Sequence, residues 1–382
     1  MLKLVTIIGA RPQIIKAAAL SRAIQTRFAT QIHEIIVHTG QHYDANMSQV
    51  FFDELGIPPT NYNLQVGSGS HGKQTAAMIT GIEDILVKEK PNAIVLYGDT
   101  NSTLAGAIAA SKLHIPIVHI EAGLRSFSKV MPEEVNRILC DHVSTLLFSP
   151  TQTGYQNLLN EGFKPDTQAP YSADRPKIVH CGDVMYDNSL FFSSVAEQKT
   201  TLLQNLQLPS NGFILATIHR NNNTDEPMRL NALFKSLADI SDQHQLPVVL
   251  PLHPRTAKLL ETNLEPQLYK RIQANPLFRI IPPASFLEMV ALEKNCALVM
   301  TDSGGVQKEA FYFEKPCVIL RPETEWVELV ECGTAIVADA DESRIKQAFE
   351  QLYQKAGLTF PKLYGDGKAS EFICGEMVKH LV

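Results

Sequence analysis

Short apolar runs alternate with helix-length amphipathic stretches along the whole chain, and that alternation limits what the chain can fold into. Strand-length runs lie at 3–8, 34–38, 93–97, 116–120 and 145–149, with helical periodicity over 12–27, 73–89 and 101–113 between them. Such alternation predicts an α/β protein, with parallel sheets covered by helices on both faces. The pattern breaks at 164–177, where Lys164-Pro165-Asp166, Ala169-Pro170 and Arg175-Pro176 mark an irregular passage. It restarts at 178–181 and 213–218, with further strands at 247–251, 278–281, 297–301, 316–320 and 334–337. A chain of 382 residues exceeds one ordinary core. The expected division is 1–170, 171–366 and a last helix within 367–382, with the boundary near 165–180. The segment Leu4-Val5-Thr6-Ile7-Ile8-Gly9-Ala10-Arg11 is echoed by Ile214-Leu215-Ala216-Thr217-Ile218-His219-Arg220, each a strand entering a basic loop. Two Rossmann-like domains facing a central cleft would bring both loops to one ligand, since open α/β sheets bind at the carboxyl ends of their strands.

Composition narrows the partners. A net charge of −6 gives no general reason to bind nucleic acid or an anionic membrane. No apolar stretch approaches the ~18 residues of a membrane span. The six cysteines form no C-x-x-C pair and read as small buried hydrophobes, which suits a reducing compartment and a cytoplasmic location.

Four segments carry chemistry. In Thr301-Asp302-Ser303-Gly304-Gly305-Val306-Gln307-Lys308-Glu309 a strand ends, two glycines follow and a helix begins. Bare N–H groups at a helix start attract phosphate, Ser303 adds a hydroxyl, and Glu309 is placed to accept from a ribose. The competing reading is a plain β–α turn with a serine cap. In Gly9-Ala10-Arg11-Pro12-Gln13-Ile14-Ile15-Lys16, Arg11 can fork onto a diphosphate, with Lys16 about one turn further on; a solvated loop arginine is the alternative. Neither loop has the spacing of a dinucleotide fingerprint or a P-loop. Carboxylates gather at strand ends: Asp99 after 93–97, Glu121 after 116–120, and Glu133 and Glu134 at a helix start, with Arg137 beyond. Crowded carboxylates suit acid–base work. Each also has a structural explanation: Asp99 as a helix cap, Glu121 paired with Arg125, Glu133 paired with Arg137. His219, at a strand end, can bind phosphate or move a proton. No H-E-x-x-H or close Cys/His spacing points to a metal, and His114 and His119 read as structural.

Taken together, Gly9-Ala10-Arg11-Pro12, His38-Thr39-Gly40-Gln41-His42, Gly98-Asp99-Thr100, Glu121-Ala122-Gly123-Leu124-Arg125, Pro132-Glu133-Glu134-Val135-Asn136-Arg137, His219-Arg220 and Asp302-Ser303-Gly304-Gly305 resemble the non-hydrolysing UDP-N-acetylglucosamine 2-epimerase family over nearly the whole chain. The resemblance implies a glycosyltransferase-B-like fold, a C-terminal helix returning to the first domain, a homodimer, and no cofactor or metal. It implies a UDP-amino sugar substrate, with Arg11, His219, Ser303, Gly304 and Gly305 on the diphosphate and Glu309 on the ribose. Asp99, Glu121 and Glu133 or Glu134 would be the catalytic carboxylates, joined by His219; Lys16 and Arg137 count among the substrate-binding candidates. Three departures stand out. Asn222 replaces a glutamate common in relatives, Met289 stands where relatives carry a uracil-stacking phenylalanine, and Thr324-Glu325-Trp326-Val327-Glu328 replaces Thr-Glu-Arg-Pro-Glu. Together with Gly9-Ala10-Arg11-Pro12-Gln13 and Pro251-Leu252-His253-Pro254-Arg255-Thr256, the last leans toward the subgroup acting on UDP-2,3-diacetamido-2,3-dideoxyglucuronate. The activator site that some bacterial members have near Gln41 and His42 is not carried over, because Asp44 and its loop differ. The rivals are a hydrolysing 2-epimerase and a glycosyltransferase of the same fold.

Overall fold

The computed structural model describes residues 1–40, 56, 58–252 and 254–381. Contacts divide the chain into two units, Met1–Asn188 with Lys362–Val382, and Ser189–Pro361. In the first, β1 (Leu2–Ile8), β2 (Ile32–His38), β3 (Tyr62–Asn63), β4 (Ala93–Tyr97), β5 (Ile117–Ile120), β6 (Leu146–Ser149) and β7 (Lys177–His180) form one sheet in the order β3-β2-β1-β4-β5-β6-β7. In the second, β8 (Ile214–Thr217), β9 (Val248–Pro251), β10 (Phe278–Ile281), β11 (Leu298–Thr301), β12 (Cys317–Ile319) and β13 (Ala335–Val337) run β10-β9-β8-β11-β12-β13. Every pairing is parallel.

Both sheets share one winding. From its first strand the chain builds outward on one side, then returns to build on the other, so a crevice opens beyond the carboxyl ends of the two strands where the direction reverses. Those are β1 and β4 in the first unit and β8 and β11 in the second.

Strands covered on both faces read as continuous apolar runs. Val5, Ile7, Val37, Ile94 and Leu96 are buried against Met78, Ile82 and Ile85 of the helix His71–Glu89 and alanines of the helix Asn101–Lys112. In the second unit Ile214, Ala216, Val248, Leu298 and Met300 meet Leu233, Phe234 and Leu237 of the helix Pro227–His244, with Ile345 and Phe349 of the helix Glu342–Leu352. Helix starts follow local chemistry: Thr100, Thr151, Ser285 and Asp341 accept from backbone N–H groups, and Pro12, Pro132, Pro227 and Pro266 occupy first turns.

The expected boundary near 165–180 is corrected. β7 joins β6 in register from Leu146↔Lys177 to Ser149↔His180, so the proline-rich passage is a connection inside the first unit. The division falls instead after Asn188, within the helix Val184–Lys199, and again after Pro361. In sequence, an irregular link between neighbouring parallel strands reads the same as a linker between domains. The terminal helix Ala369–Leu381 belongs to the first unit and packs against the helix Arg11–Ala23. Asp187 caps it, accepting from the Ala369 and Ser370 N–H groups at 3.1 and 2.7 Å. All six cysteines are free thiols. No helix among the described residues is long and apolar enough to cross a membrane.

The turn after β1 is a tight fit. A Cβ on Gly9 would fall 2.2 Å from both the Ser102 and the Thr39 hydroxyl oxygens, which bond to each other at 2.8 Å. Gly9→Ala is therefore expected to lower stability by about 1–3 kcal/mol through overpacking, read as a fall in thermal midpoint. An unchanged midpoint would mean that the turn relaxes freely.

Candidate active site

In the first unit the loops after β1, β4 and β5 assemble polar side chains at the crevice. Gln13, 1% exposed, fastens the first two. Its carbonyl oxygen accepts from the Gly9 and Ala10 N–H groups at 2.9 and 3.2 Å, and its amide donates to the Tyr97 carbonyl and the Thr103 hydroxyl, each at 3.0 Å. Arg11 is the exposed first residue of its helix. Thr100, not Asp99, caps the helix Asn101–Lys112. Asp99 instead accepts from the Arg137 guanidinium, and its carbonyl receives the Asn136 amide at 2.8 Å. Glu121 has a left-handed backbone, φ +78°, rare for a residue with a side chain. Its carboxylate pairs with Lys16 rather than Arg125. Both groups lie over Gly98, where an added Cβ would come 3.0 Å from Glu121 Oε2 and 3.2 Å from Lys16 Nζ. The Glu121–Lys16 pair therefore touches the residue preceding Asp99.

The adjacent glutamates part ways. Glu133 is exposed, and Arg137 pairs with Glu134 at 2.9 Å rather than with it. Glu134 is buried and accepts from the Ser126 N–H at 2.8 Å, the Phe127 N–H at 2.9 Å and the Ser126 hydroxyl at 3.1 Å. Burial alone would raise its pKa; these donors and Arg137 outweigh burial and hold the carboxyl below its ordinary value. Arg137 thus bridges Glu134 and Asp99.

Beneath these loops is a polar group the sequence reading left as merely structural. His119 of β5 is fully buried; its Nε2 bonds the Gly98 carbonyl at 2.8 Å and its Nδ1 bonds Asp141 at 2.6 Å. Asp141 also accepts from the Gly123 N–H at 3.1 Å and pairs with Arg125 at 2.7 Å, and Arg125 reaches Glu161. Burial would discharge the imidazole, but Cys140 and Asp141 more than offset it and raise its pKa well above the ordinary value. One buried pair therefore holds the loop carrying Asp99 to the loop carrying Glu121. A single histidine inside an apolar strand gave no local sign of this.

In the second unit, Asp302 at the end of β11 is buried and organises the loop after β8. It accepts from the His219 and Arg220 N–H groups and the Asn223 amide, each at 3.0 Å. Asn223 also donates to the Leu320 carbonyl at 2.9 Å. Sequence reasoning placed Asp302 in the loop motif but gave neither it nor Asn223 a role. Ser303 precedes the helix Gly304–Tyr312 and makes no capping bond, so the serine-cap alternative is set aside. His219, Ser303, Gly304 and Gly305 line one open cavity of about 550 Å³ with Arg220 and Glu325. Glu325, paired with Arg321 at 2.8 Å, reaches over the helix start: a Cβ on Gly304 would lie 2.1 Å from its oxygen. Met289 and Glu309 are half-buried on the helices Phe286–Asn295 and Gly304–Tyr312, outside that lining. Trp326 is buried with the Lys308 ammonium 4.2 Å from its ring centre, a packing role. Asp341 caps the helix Glu342–Leu352, while Asp339 pairs with Arg229. Gln41, His42 and Asp44 lie outside the described residues.

With this geometry in view, known proteins add a third line of observation. Residues 24–377 match the family model for UDP-N-acetylglucosamine 2-epimerase. The chain is 49% identical to the UDP-2,3-diacetamido-2,3-dideoxy-D-glucuronate 2-epimerase of Pseudomonas aeruginosa, over 99% of this chain and 100% of that one. It is 41% identical to the UDP-N-acetylglucosamine 2-epimerase of Methanocaldococcus jannaschii, over 97% and 98%. A solved structure of UDP-GlcNAc 2-epimerase from Methanocaldococcus jannaschii in complex with UDP-GlcNAc and UDP superposes with a TM-score of 0.81 at 39% identity, covering 99% of this chain and 100% of that one.

Proposed function

Because the chain belongs to the UDP-N-acetylglucosamine 2-epimerase family, we propose that it inverts C2 of a UDP-linked 2-acetamido sugar by eliminating and re-adding UDP. What supports this most is that the first unit carries acid–base groups at its sheet's switch point and the second, by itself, carries an anion cradle at its own.

The hydrogen on C2 is not acidic, since no carbonyl adjoins it. As the bond from C1 to the UDP oxygen breaks, positive charge grows at C1 and the C2 proton becomes removable. A base takes that proton, the electron pair forms C1=C2, and UDP departs, leaving a 2-acetamidoglucal. Protonation of C2 from the other face and return of the UDP oxygen to C1 give the epimer. Electrons balance without a redox cofactor.

Asp99 and Glu121 are assigned the proton transfers, with Glu134 completing the carboxylate set. Arg137 and Lys16 hold these carboxylates in place. Glu133 faces solvent and is set aside. His219, Ser303, Gly304 and Gly305, with Arg11, hold the leaving diphosphate, where donors at a helix start stabilise developing negative charge. Met289 packs on the uracil and Glu309 accepts from the ribose. The 49% identity favours UDP-2,3-diacetamido-2,3-dideoxyglucuronate over UDP-N-acetylglucosamine as the preferred sugar. We also read the protein as a cytoplasmic homodimer: six free thiols suit a reducing compartment, and exposed Met131, Val135 and Leu139 recur at four-residue spacing, as suits an interface with a second copy.

Incubation with both sugars in D2O, followed by proton NMR, should yield the C2 epimer with deuterium at C2, faster for the diacetamido uronate. Inversion without exchange would contradict elimination. Free amino sugar accumulating with UDP would favour the hydrolysing relative instead.

A further inference from the structure

One buried carboxyl in the second unit is unused by this chemistry. Glu293, late in the helix Phe286–Asn295, is 1% exposed. An ionised carboxylate is poorly tolerated at such a place without a compensating partner. Its hydrogen-bonded neighbour is another carboxyl, Glu309, on the adjacent helix Gly304–Tyr312. A hydrogen bond between two carboxyl groups requires a proton on one of them. Glu309 is the less buried of the two, so the charge belongs there and the proton on Glu293. The second oxygen of Glu293 has no hydrogen-bond partner among the described residues, which an uncharged carboxyl tolerates far better than a carboxylate. Burial first, then the charge of Glu309, push the Glu293 pKa well above its ordinary value.

We propose that Glu293 is a positioning residue for ribose recognition: its protonated carboxyl donates a hydrogen bond to Glu309 and holds that carboxylate in the rotamer that accepts from the ribose hydroxyls. This rests on the assignment of Glu309 to the ribose above. A carboxylate on a half-exposed helix face samples several rotamers; one donor fixed behind it removes that freedom before the nucleotide arrives.

The test compares dissociation constants for UDP and 2′,3′-dideoxy-UDP, measured by calorimetry on the full chain. The wild type should prefer UDP roughly 10- to 100-fold, the range for hydrogen bonds to a charged acceptor. Glu293→Gln, whose amide can still donate, should keep that preference. Glu293→Leu and Glu309→Gln should each reduce it below about threefold. A Leu variant that retains the wild-type preference while Glu309→Gln loses it would overturn the positioning role and leave the ribose assignment standing. A wild type that binds UDP but ignores the ribose hydroxyls would overturn the ribose assignment and the proposal with it. Infrared difference spectra decide the case even if the Leu variant fails to fold. A protonated-carboxyl band at neutral pH, lost in Glu293→Gln, is expected, and its absence from the wild type would overturn the shared proton.

Discussion

Replacing Glu121 by glutamine is expected to lower kcat by about 10²- to 10⁴-fold, the usual range for loss of a positioned acid–base group, with the dissociation constant for UDP changed by less than about twofold. The separation follows from where the groups sit. Glu121 leaves β5 on a left-handed backbone and meets Lys16 above Gly98, in the first unit. The cavity formed by His219, Ser303, Gly304 and Gly305 is built wholly from the second. Glutamine keeps the size of the side chain and removes only its charge and basicity, so the loss should fall on proton transfer. Deuterium incorporation at C2, followed in D2O, should slow in step with epimerisation. Glu133→Gln is the internal control: that side chain is exposed, and turnover should stay within about twofold of wild type. If Glu121→Gln turns over at the wild-type rate, or Glu133→Gln loses as much, the carboxylate assignment is wrong.

The parts legible from sequence were those with a local signature. Strand ends followed by glycine, carboxylate or basic residues marked the loops after β1, β4, β5, β8 and β11, because in a doubly wound sheet the site lies at those ends. What stayed hidden was the set of buried polar groups that hold the loops in place. Gln13 serves the Tyr97 carbonyl, Asp302 serves the His219 N–H, and Asp141 serves the Gly123 N–H; two of these three connections span more than 80 residues. No periodicity or motif records a contact that exists only after the strands pair. The choice between Glu133 and Glu134 was hidden for a related reason. Both suit a helix start, and the distinction comes from the Ser126 and Phe127 N–H groups that await one of them. Arg137 was paired by helix spacing with Glu133; the structure gives it to half-buried Asp99 and buried Glu134 and leaves Glu133 exposed. The proline-rich stretch misled because irregular backbone signals a break in regular structure without saying whether the next strand joins the same sheet.

Asp141→Asn should destabilise the first unit by about 3 kcal/mol near pH 5–6, the lower end of the range for stripping a partner from a buried charge, and the deficit should shrink above pH 7. In the wild type the His119 pKa is raised above 6.5, opposed by burial and carried by Cys140 and Asp141. Between its unfolded and folded values the native state holds a proton that the unfolded chain has released. Its stabilisation is therefore complete below about pH 6.5 and fades as pH climbs through the folded value. The Asp141 pKa is lowered against its own burial by His119 and Arg125, so its contribution is present above its ordinary 3.8 and disappears as pH falls through the folded value. With asparagine at 141 the imidazole loses its carboxylate partner, and burial, the largest influence on it, favours the neutral ring in the native state. Below about pH 6.5 the unfolded chain then binds the extra proton, so the variant gains stability as pH rises toward that value, where the wild type is level. Denaturant melts of both proteins from pH 5 to 8.5 measure the difference directly. A gap that narrows with rising pH identifies a charged His119 clasped between the Asp99 and Glu121 loops. A gap constant across the range would mean that the imidazole is neutral in the wild type and that the two loops are held together by uncharged hydrogen bonds alone.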